Sequence, residues 1–191
     1  MRIVAGRHRG RRLEAPAGLD VRPTADRARE SLFNILEHGR FGGDGTSPLV
    51  GAQVLDAFAG SGALGLEALS RGASRLTCME TSAVARAAVR ANAAALGETG
   101  RVAVLPADAT NPPAASAACN LVFLDPPYRS GLAAAALTAL AARGWIADGA
   151  IGVVETAADE DFAPPAGFMP LDERRYGKAK LLFLRFARPV S

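Results

Sequence analysis

Three acidic residues stand at or just after the ends of apolar segments that read as buried strands. They are Asp56, Glu80 and Asp108. Because ligands of α/β folds bind outside the carboxyl ends of the strands, these carboxylates should converge on one site. Carboxylates accept hydrogen bonds from ammonium, hydroxyl and amino groups. The three together therefore predict a binding site for a polar small molecule rather than three separate surface acids.

A glycine-rich turn follows Asp56 and joins a strand to a helix. It reads Ala-Phe-Ala-Gly-Ser-Gly-Ala-Leu-Gly over residues 57–65, and glycine lets the backbone approach a ligand closely. The three glycines also fit the dinucleotide fingerprint, and Glu80 stands about where a ribose-binding acid would, so a nicotinamide-dependent oxidoreductase is one alternative. Asp56 argues against that alternative, because a carboxylate is unfavourable beside a pyrophosphate.

A cofactor that carries an ammonium group fits these residues better. Asp56 suits the ammonium of the methionine part of S-adenosylmethionine, Glu80 would accept hydrogen bonds from ribose hydroxyls, and Asp108 would meet the adenine amino group. The predicted cofactor-binding residues are Asp56, Phe58, Gly60, Gly62, Glu80, Thr81, Asp108 and Ala109.

The segment Asp125-Pro126-Pro127-Tyr128 follows an apolar strand and carries the predicted chemistry. Its prolines fix a stiff, non-helical exit, and Pro126 removes a backbone donor that would compete for the same acceptors. An exocyclic base amine is a poor nucleophile, because its lone pair is conjugated with the ring. Carbonyl oxygens and the Asp125 carboxylate would hold the amine hydrogens and favour a pyramidal nitrogen. Asp125 would also take the released proton, and Tyr128 would stack on the extruded base.

Strands and helices alternate from residue 53 onward, which predicts a parallel sheet covered on both faces. The last two apolar segments have no long helix between them and read as an antiparallel pair. We therefore expect an α/β domain over residues 23–191. Its resemblance to the Rossmann-like class I methyltransferases, through the glycine-rich turn and Asp125–Tyr128, implies a seven-stranded, mostly parallel sheet with one antiparallel strand. Strands are predicted at 54–58, 75–80, 102–105, 120–125, 150–155, 168–171 and 181–186, and helices at 24–38, 63–70, up to 96, and 132–143.

Basic charge is concentrated at the two ends of the chain. Residues 1–40 carry nine basic and five acidic side chains, residues 41–173 carry seven and fourteen, and residues 174–191 carry six and none. Residues 1–22 are predicted to form a small basic arm or hairpin. Because arginine pairs bidentately with phosphate oxygens, this arm is predicted to bind nucleic acid. The residues concerned are Arg7, His8, Arg9, Arg11 and Arg12.

Composition argues against several other kinds of protein. The chain has two cysteines and two histidines without a Cys/His cluster, so no metal site is predicted. No apolar run approaches the roughly 18 residues that a membrane span needs, and the first residues lack the apolar core of a secretory signal. We expect a cytoplasmic monomer with no membrane partner.

Taken together, these motifs resemble the class I amino-methyltransferases. Over almost the whole chain the sequence is similar to the bacterial 16S ribosomal RNA guanine-N2 methyltransferase family, on residues 2–13, 22–36 and 175–181 as well as the two motifs above. The resemblance implies transfer to the N2 of a loop guanine near the P site of the small subunit, on an assembled or assembling particle. It adds four residues to the predicted RNA-binding set, namely Arg22, Arg27, Tyr176 and Lys178. The glycine-rich stretch 42–51 departs from the family pattern.

Three alternatives remain at this stage. A DNA amino-methyltransferase acting on adenine N6 or cytosine N4 uses the same Asp-Pro-Pro-Tyr segment, although the chain leaves little room for a target-recognition domain. A cytosine-C5 enzyme would need a cysteine nucleophile in a strand-end loop after a proline, and neither Cys78 nor Cys119 stands there. A non-catalytic RNA-binding assembly factor could keep the fold, but it would have no use for an intact catalytic segment.

Overall fold

The fold is a seven-stranded sheet with helical cover on both faces. The computed structural model describes residues 1–15, 23–38, 41 and 46–188, without the side chains of residues 23–27. In chain order the elements are α1 (Pro23–His38), β1 (Gln53–Asp56), α2 (Ala63–Ser70), β2 (Arg75–Met79), α3 (Ala83–Ala95), a 3-10 turn (Thr99–Arg101), β3 (Val102–Leu105), β4 (Cys119–Leu124), α4 (Leu132–Ala142), β5 (Ile146–Ala157), β6 (Phe168–Tyr176) and β7 (Ala179–Phe186).

The strand order across the sheet is β3-β2-β1-β4-β5-β7-β6. The first five strands in this order are parallel, and β7 lies antiparallel to both β5 and β6. The direction of the chain's connections reverses between β1 and β4, which leaves a crevice at their carboxyl ends where ligands bind in doubly wound folds. The predicted seven strands with one antiparallel strand are confirmed.

Each face of the sheet buries its own apolar layer. Leu121, Phe123 and Val153 point to the face that α1, α2 and α3 cover, while Val122 and Leu124 point to the face that α4 covers. This alternation follows from the period of two along a strand. It places Asp56, which pairs with Phe123 in the register of β1 and β4, on the face of α2 and α3.

The strand β5 begins earlier than the sequence pattern predicted. It starts at Ile146 rather than 150, because Cys119 pairs with Ile146 before the register shifts between Cys119 and Leu121. Gly149 within this stretch has φ of 76°, a left-handed conformation that favours glycine and lets the strand bulge. The carboxyl end of β5 also runs two residues beyond Glu155, to Ala157.

The first fifteen residues form a hairpin-like arm, while residues 16–22 of the arm that the sequence predicts lie outside the described residues. Arg2 and Arg12 form an antiparallel bridge, and the amide of Ile3 donates to the carbonyl of Arg11 at 3.0 Å. The buried side chains of Ile3 and Leu13 join the core on the face of α1, α2 and α3. The arm is therefore packed on the domain rather than extended into solvent.

Candidate active site

Asp56 lies buried beneath the glycine-rich turn. Its residue is 1% exposed, and its Oδ2 accepts a hydrogen bond of 3.1 Å from the amide of Gly65 in the first turn of α2. Burial raises the pKa of Asp56 to about 7; the Gly65 hydrogen bond opposes this rise and the negative charge of Glu80 adds to it. A ligand ammonium beside Asp56 would favour the ionised form of its carboxyl group. This buried carboxylate therefore fits a cationic amine.

Glu80 joins the glycine-rich turn to the start of α3. Its Oε2 accepts from the amide of Gly60 at 2.9 Å, and its Oε1 accepts from the amide of Ser82 at 2.8 Å. A carboxylate has about four acceptor positions, so two amides leave capacity for ligand hydroxyls. Glu80 is half-buried and the neighbouring Thr81 is exposed, which places both at the rim of the crevice.

The turn between β1 and α2 depends on its glycines. Gly60 has φ of 52° and Gly62 has φ of 78°, both in the left-handed region. A Cβ atom added to Gly60 would meet no atom within 4 Å, so space for a ligand lies next to the backbone there. A Cβ added to Gly65 would come within 2.3 Å of Leu76 Cδ1, so this glycine serves the contact between α2 and β2.

The remaining predicted cofactor residues follow β1 and β3. Asp108 is exposed and its Oδ1 accepts 2.8 Å hydrogen bonds from both the amide and the hydroxyl of Thr110. Ala109 is buried, and Phe58 is partly buried against the core on the α4 face. A cavity of about 570 Å³ opens beside Asp108, lined by residues 105–108, 111–113 and Arg143. It is large enough to admit a flat heterocycle.

The Asp125–Tyr128 segment leaves β4 beside the carboxyl end of β5. Leu124 pairs with Val154, so Asp125 and Glu155 follow as neighbours at the same edge. The hydroxyl of Tyr128 donates a 2.6 Å hydrogen bond to Oε1 of Glu155. Tyr128 is 41% exposed, so its ring remains accessible to a base.

The prolines of this segment differ in exposure, since Pro126 is buried and Pro127 is exposed.

Asp125 keeps an exposed surface, yet the protein around its carboxyl group removes much of the surrounding water. This desolvation, followed by the negative charges of Glu155 and Asp56, raises the pKa of Asp125 above its usual range. Burial also raises the pKa of Glu155, and the hydrogen bond from Tyr128 opposes it. Paired carboxyl groups with raised pKa values are suited to accept a proton near neutral pH.

The loop after β5 fixes the residue that follows Tyr128. Arg129 has φ of 57°, and its amide donates to Oε2 of Glu160 at 2.8 Å. One guanidinium nitrogen, Nη2, donates to both carboxylate oxygens of Asp159, at 2.8 and 2.7 Å. These contacts hold the chain beyond Tyr128 against the end of β5.

The arm residues predicted to bind RNA lie at some distance from Asp125, because the arm turns beside the carboxyl end of α2. The amide of Arg7 donates to the carbonyl of Ser70 at 2.9 Å. His8 Nε2 lies 2.6 Å from Oε1 of Glu98, and Arg7 lies 3.6 Å from the same oxygen. Arg11 donates to the carbonyl of Ala95 at 2.5 Å.

Arg9 and Arg12 are exposed, so both are open to a polyanion.

The other predicted RNA-binding residues fall in two places. Tyr176 ends β6 and is half-buried against the core on the α1 side, while Lys178 is exposed in the turn that Gly177 forms with φ of 59°. Arg22 lies outside the described residues, and so does the side chain of Arg27.

The sequence analysis missed several residues with a part in the site or the arm, among them Glu155 and Glu67. Glu155 joins the candidate catalytic segment, and Glu67 anchors the arm. Glu67 is 0% exposed and accepts from the amides of Val4 at 2.7 Å and Ala5 at 3.0 Å, and from Nε of Arg71 at 2.9 Å. Its signal in the sequence is a single acid in the otherwise apolar helix α2, where a charge needs partners to be buried.

Asn92 links the arm to the glycine-rich turn. Its side chain accepts from the amide of Glu14 at 2.7 Å and donates to the carbonyl of Ser61 at 3.0 Å, and the residue is 1% exposed.

Among the described residues, no three His, Cys, Asp or Glu side chains lie close enough together to hold a metal ion. Nor does any helix in the described part of the chain have the length and apolar character to cross a membrane.

Comparison with known proteins gives consistent matches over nearly the full chain. The family model described as conserved hypothetical protein 95 matches residues 1–185. The protein named ribosomal RNA small subunit methyltransferase D of Escherichia coli K12 is 41% identical over 157 residues, which cover 82% of this chain and 74% of that protein.

Solved structures agree with this match. The Escherichia coli protein yhhF, described provisionally as a methyltransferase, superposes with a TM-score of 0.80 at 35% identity and covers 99% of both chains. The magnesium protoporphyrin IX methyltransferase of Synechocystis, solved with S-adenosylmethionine bound, has a TM-score of 0.62 at 18% identity over 86% of this chain and 80% of that one. The latter likeness concerns the fold alone, and with yhhF it confirms the predicted class I methyltransferase fold.

Proposed function

The chain belongs to the family described as conserved hypothetical protein 95, and on that premise we propose that it methylates the exocyclic N2 of a guanine in 16S ribosomal RNA. Methyl transfer to ribosomal RNA is supported by the 41% identical relative named ribosomal RNA small subunit methyltransferase D. The choice of guanine N2 is supported by the family resemblance of the sequence. The substrate would be the small ribosomal subunit or an intermediate of its assembly.

The observation that carries the proposal is the meeting of two groups of residues at one edge of the sheet. The Asp56–Glu80 group surrounds the glycine-rich turn after β1, and Asp125 and Tyr128 follow the neighbouring strand β4. Negative charge from Asp56 contributes to the raised pKa of Asp125, so the two carboxyl groups share one electrostatic environment. A cofactor held by the first group would therefore lie next to the residues proposed to act on the base.

S-adenosylmethionine would supply a methyl group on a positively charged sulfur, which leaves as the neutral thioether. Asp56 would bind its ammonium, Glu80 its ribose hydroxyls and Asp108 its adenine. The backbone at Gly60 and Gly62 would lie against the ligand, with Phe58, Thr81 and Ala109 at its borders. The carboxylates fit such a ligand in charge and in number of acceptors.

The chain's own residues would prepare the amine for attack. Asp125 would accept hydrogen bonds from the N2 amine, which turns the nitrogen lone pair toward the methyl group. As the new N–C bond forms, the amine becomes acidic and Asp125 takes its proton. The buried Pro126 and the exposed Pro127 keep the segment non-helical, and the accessible ring of Tyr128 stacks on the extruded base.

RNA contact is proposed for the basic arm and the turn between β6 and β7. The main contacts with RNA phosphates would come from the exposed Arg9, Arg12 and Lys178. Arg7, His8 and Arg11 would contribute less, because each already contacts the domain. Arg22, Arg27 and Tyr176 complete the proposed set on the strength of the family resemblance.

The test uses labelled S-adenosylmethionine with unmethylated small subunits, naked 16S RNA and duplex DNA as parallel substrates. The expected result is label in N2-methylguanosine of small-subunit RNA, and calorimetric binding of the cofactor but not of NAD. Label in DNA adenine or cytosine would instead support the DNA-directed alternative. Absence of transfer to any substrate, with cofactor bound, would support a non-catalytic assembly factor.

A further inference from the structure

Glu155 stands beside the candidate catalytic residue but has no part in the mechanism above. It lies in β5 as the lateral neighbour of Asp125, and Val153 two residues earlier faces the same side of the sheet. Glu155 is only half-buried, whereas Thr156 and Ala157 beyond it are buried. A carboxylate at the open carboxyl end of a central strand, next to a catalytic segment, is in the position to contact the substrate.

One acceptor position of Glu155 is already used by the protein. The Tyr128 hydroxyl donates to Oε1 at 2.6 Å, which ties Glu155 to the ring proposed to stack on the base. Since a carboxylate has about four acceptor positions, others remain for a second donor. Asp125 and Glu155 are close enough for the charge of Glu155 to raise the pKa of Asp125. The site thus presents two acidic groups side by side.

Two adjacent acceptors match one kind of base edge only. In guanine, the C2 amine is flanked by N1–H, so two neighbouring groups donate hydrogen bonds. In adenine and cytosine, the ring nitrogen beside the amine is itself an acceptor, which a carboxylate would repel. Enzymes that extrude a base recognise it through hydrogen bonds on this edge. A repulsive contact with the wrong base contributes to specificity as much as an attractive contact with the right base.

We propose that Glu155 accepts a hydrogen bond from N1–H of the target guanine while Asp125 holds its N2 amine, and that Glu155 thereby selects guanine. This inference rests on the proposed function. The Tyr128 hydrogen bond would keep Glu155 oriented and favour its ionised, accepting form, since it opposes the effect of burial on the pKa of Glu155. Glu155 is thus a specificity residue, distinct from Asp125, which acts on the reacting nitrogen.

The test compares guanine with 2-aminopurine at the mapped target position of reconstituted small subunits. Both bases carry a C2 amine, but N1 of 2-aminopurine is an acceptor. Wild-type protein should prefer guanine by about 10- to 100-fold in kcat/KM, the range expected for one hydrogen bond to a charged group. In Glu155→Gln, the amide can donate as well as accept, so this preference should fall to within a few-fold of unity.

Two controls separate recognition from structure. Asp148→Asn makes the same acid-to-amide change near the other end of β5, where Asp148 accepts from the amide of Arg188, and should keep the wild-type preference. Tyr128→Phe removes the hydroxyl that donates to Glu155 but retains the ring. If Glu155→Gln no longer lowers the preference for guanine once Tyr128 is replaced by phenylalanine, Glu155 acts only through Tyr128 and the proposal is overturned.

Other outcomes are also decisive. Equal rates on both bases with wild-type protein would overturn the inference without any variant, while guanine methylation would still uphold the proposed function. A Glu155→Gln protein that folds and binds cofactor but loses activity equally on both bases would overturn it too. Absence of guanine methylation by wild-type protein would instead defeat the proposed function itself.

Discussion

The hydroxyl of Tyr128 donates a 2.6 Å hydrogen bond to Oε1 of Glu155, which joins the loop after β4 to the end of β5. Tyr128 is 41% exposed, and the bond fixes the phenolic end of its ring. An aromatic ring held in this way offers a preformed surface for an extruded base. Ring and hydroxyl therefore have separable roles, which substitution can distinguish.

Replacing Tyr128 with alanine should weaken capture of the extruded guanine, because stacking on an aromatic ring contributes about 1–3 kcal/mol per base. Part of the loss should appear in KM for the small subunit and part in turnover. Tyr128→Phe keeps the ring and should retain most activity. Steady-state kinetics on unmethylated subunits measure both variants, and equal defects in the two would show that stacking is not the role of the ring.

Asp56→Asn should change how stability depends on pH. Burial raises the pKa of Asp56 from 3.8 to about 7, so the folded state binds this proton more tightly than the unfolded state. Stability is therefore lost as pH rises from about 4 to 7, by up to about 4 kcal/mol, and stays lower above pH 7. The asparagine variant should lack this fall and be the more stable protein at pH 8.

Asp56→Asn should also weaken binding of the cofactor. Losing a hydrogen bond to the ligand ammonium should cost about 1–3 kcal/mol of binding free energy. Wild-type affinity should rise with pH through about 7, as Asp56 ionises, and Asp56→Asn should lose this rise. Glu80→Gln is the matched control, expected to weaken binding but keep most of the pH dependence. Urea unfolding at pH 5 and 8 tests the prediction on stability, and calorimetry at the same pH values tests the prediction on cofactor affinity. An Asp56→Asn protein whose stability and affinity depend on pH as in the wild type would refute the role of Asp56.

Glu67→Ala should destabilise the protein by about 3–5 kcal/mol, because it leaves two arm amides and the Nε of the buried Arg71 without their acceptor. Arg71 also bonds Glu37 at 2.7 Å, but the Glu37 side chain is 42% exposed. Glu37→Ala should therefore cost only about 0–1 kcal/mol. Urea unfolding measures the two costs, and trypsin should cut the released arm faster in Glu67→Ala. Equal costs for the two variants would mean that Glu67 does not anchor the arm.

Replacing the exposed Arg9 and Arg12 with alanine should weaken RNA binding and flatten its salt dependence. Each lost phosphate contact should lower the slope of log affinity against log salt by about 0.7–0.9. Cofactor affinity should not change. Arg75→Ala is the control, since this exposed arginine precedes Leu76 in β2 and therefore points to the α4 face of the sheet, away from the arm. An unaltered slope in the arm variant would show that these arginines face only solvent.

Most of the fold could be predicted because periodicity and strand–helix alternation determine it locally. The helix at Ala63–Ser70 and the strand at Val102–Leu105 begin and end where the pattern predicted. The early start of β5 could not be predicted, because it depends on pairing with Cys119 and on the left-handed Gly149. Residues 146–149 carry no apolar alternation that would indicate such a start.

The candidate site was predictable where one motif carries the chemistry, as in Asp125–Tyr128. It was not predictable where two distant elements meet. Glu155 looks in sequence like the polar end of a buried strand, and its contact with Tyr128 arises only from the lateral order of β4 and β5. Likewise, the contact of His8 with Glu98 spans 90 positions, so the composition of the arm alone could not distinguish residues docked on the domain from residues facing solvent.

Single-turnover methyl transfer by Asp125→Ala tests the central assignment most directly. The variant and the wild-type protein would be saturated with labelled S-adenosylmethionine and mixed with unmethylated small subunits, with the methylated nucleoside identified by mass spectrometry. Because Asp125 acts on an amine that becomes acidic only as the new bond forms, its loss should appear in the transfer step. We predict N2-methylguanosine from the wild-type protein, and a rate about 10²–10⁴-fold lower in the variant with cofactor and RNA affinities nearly unchanged. Transfer by Asp125→Ala at close to the wild-type rate would contradict the account, and so would a methyl group on any other atom.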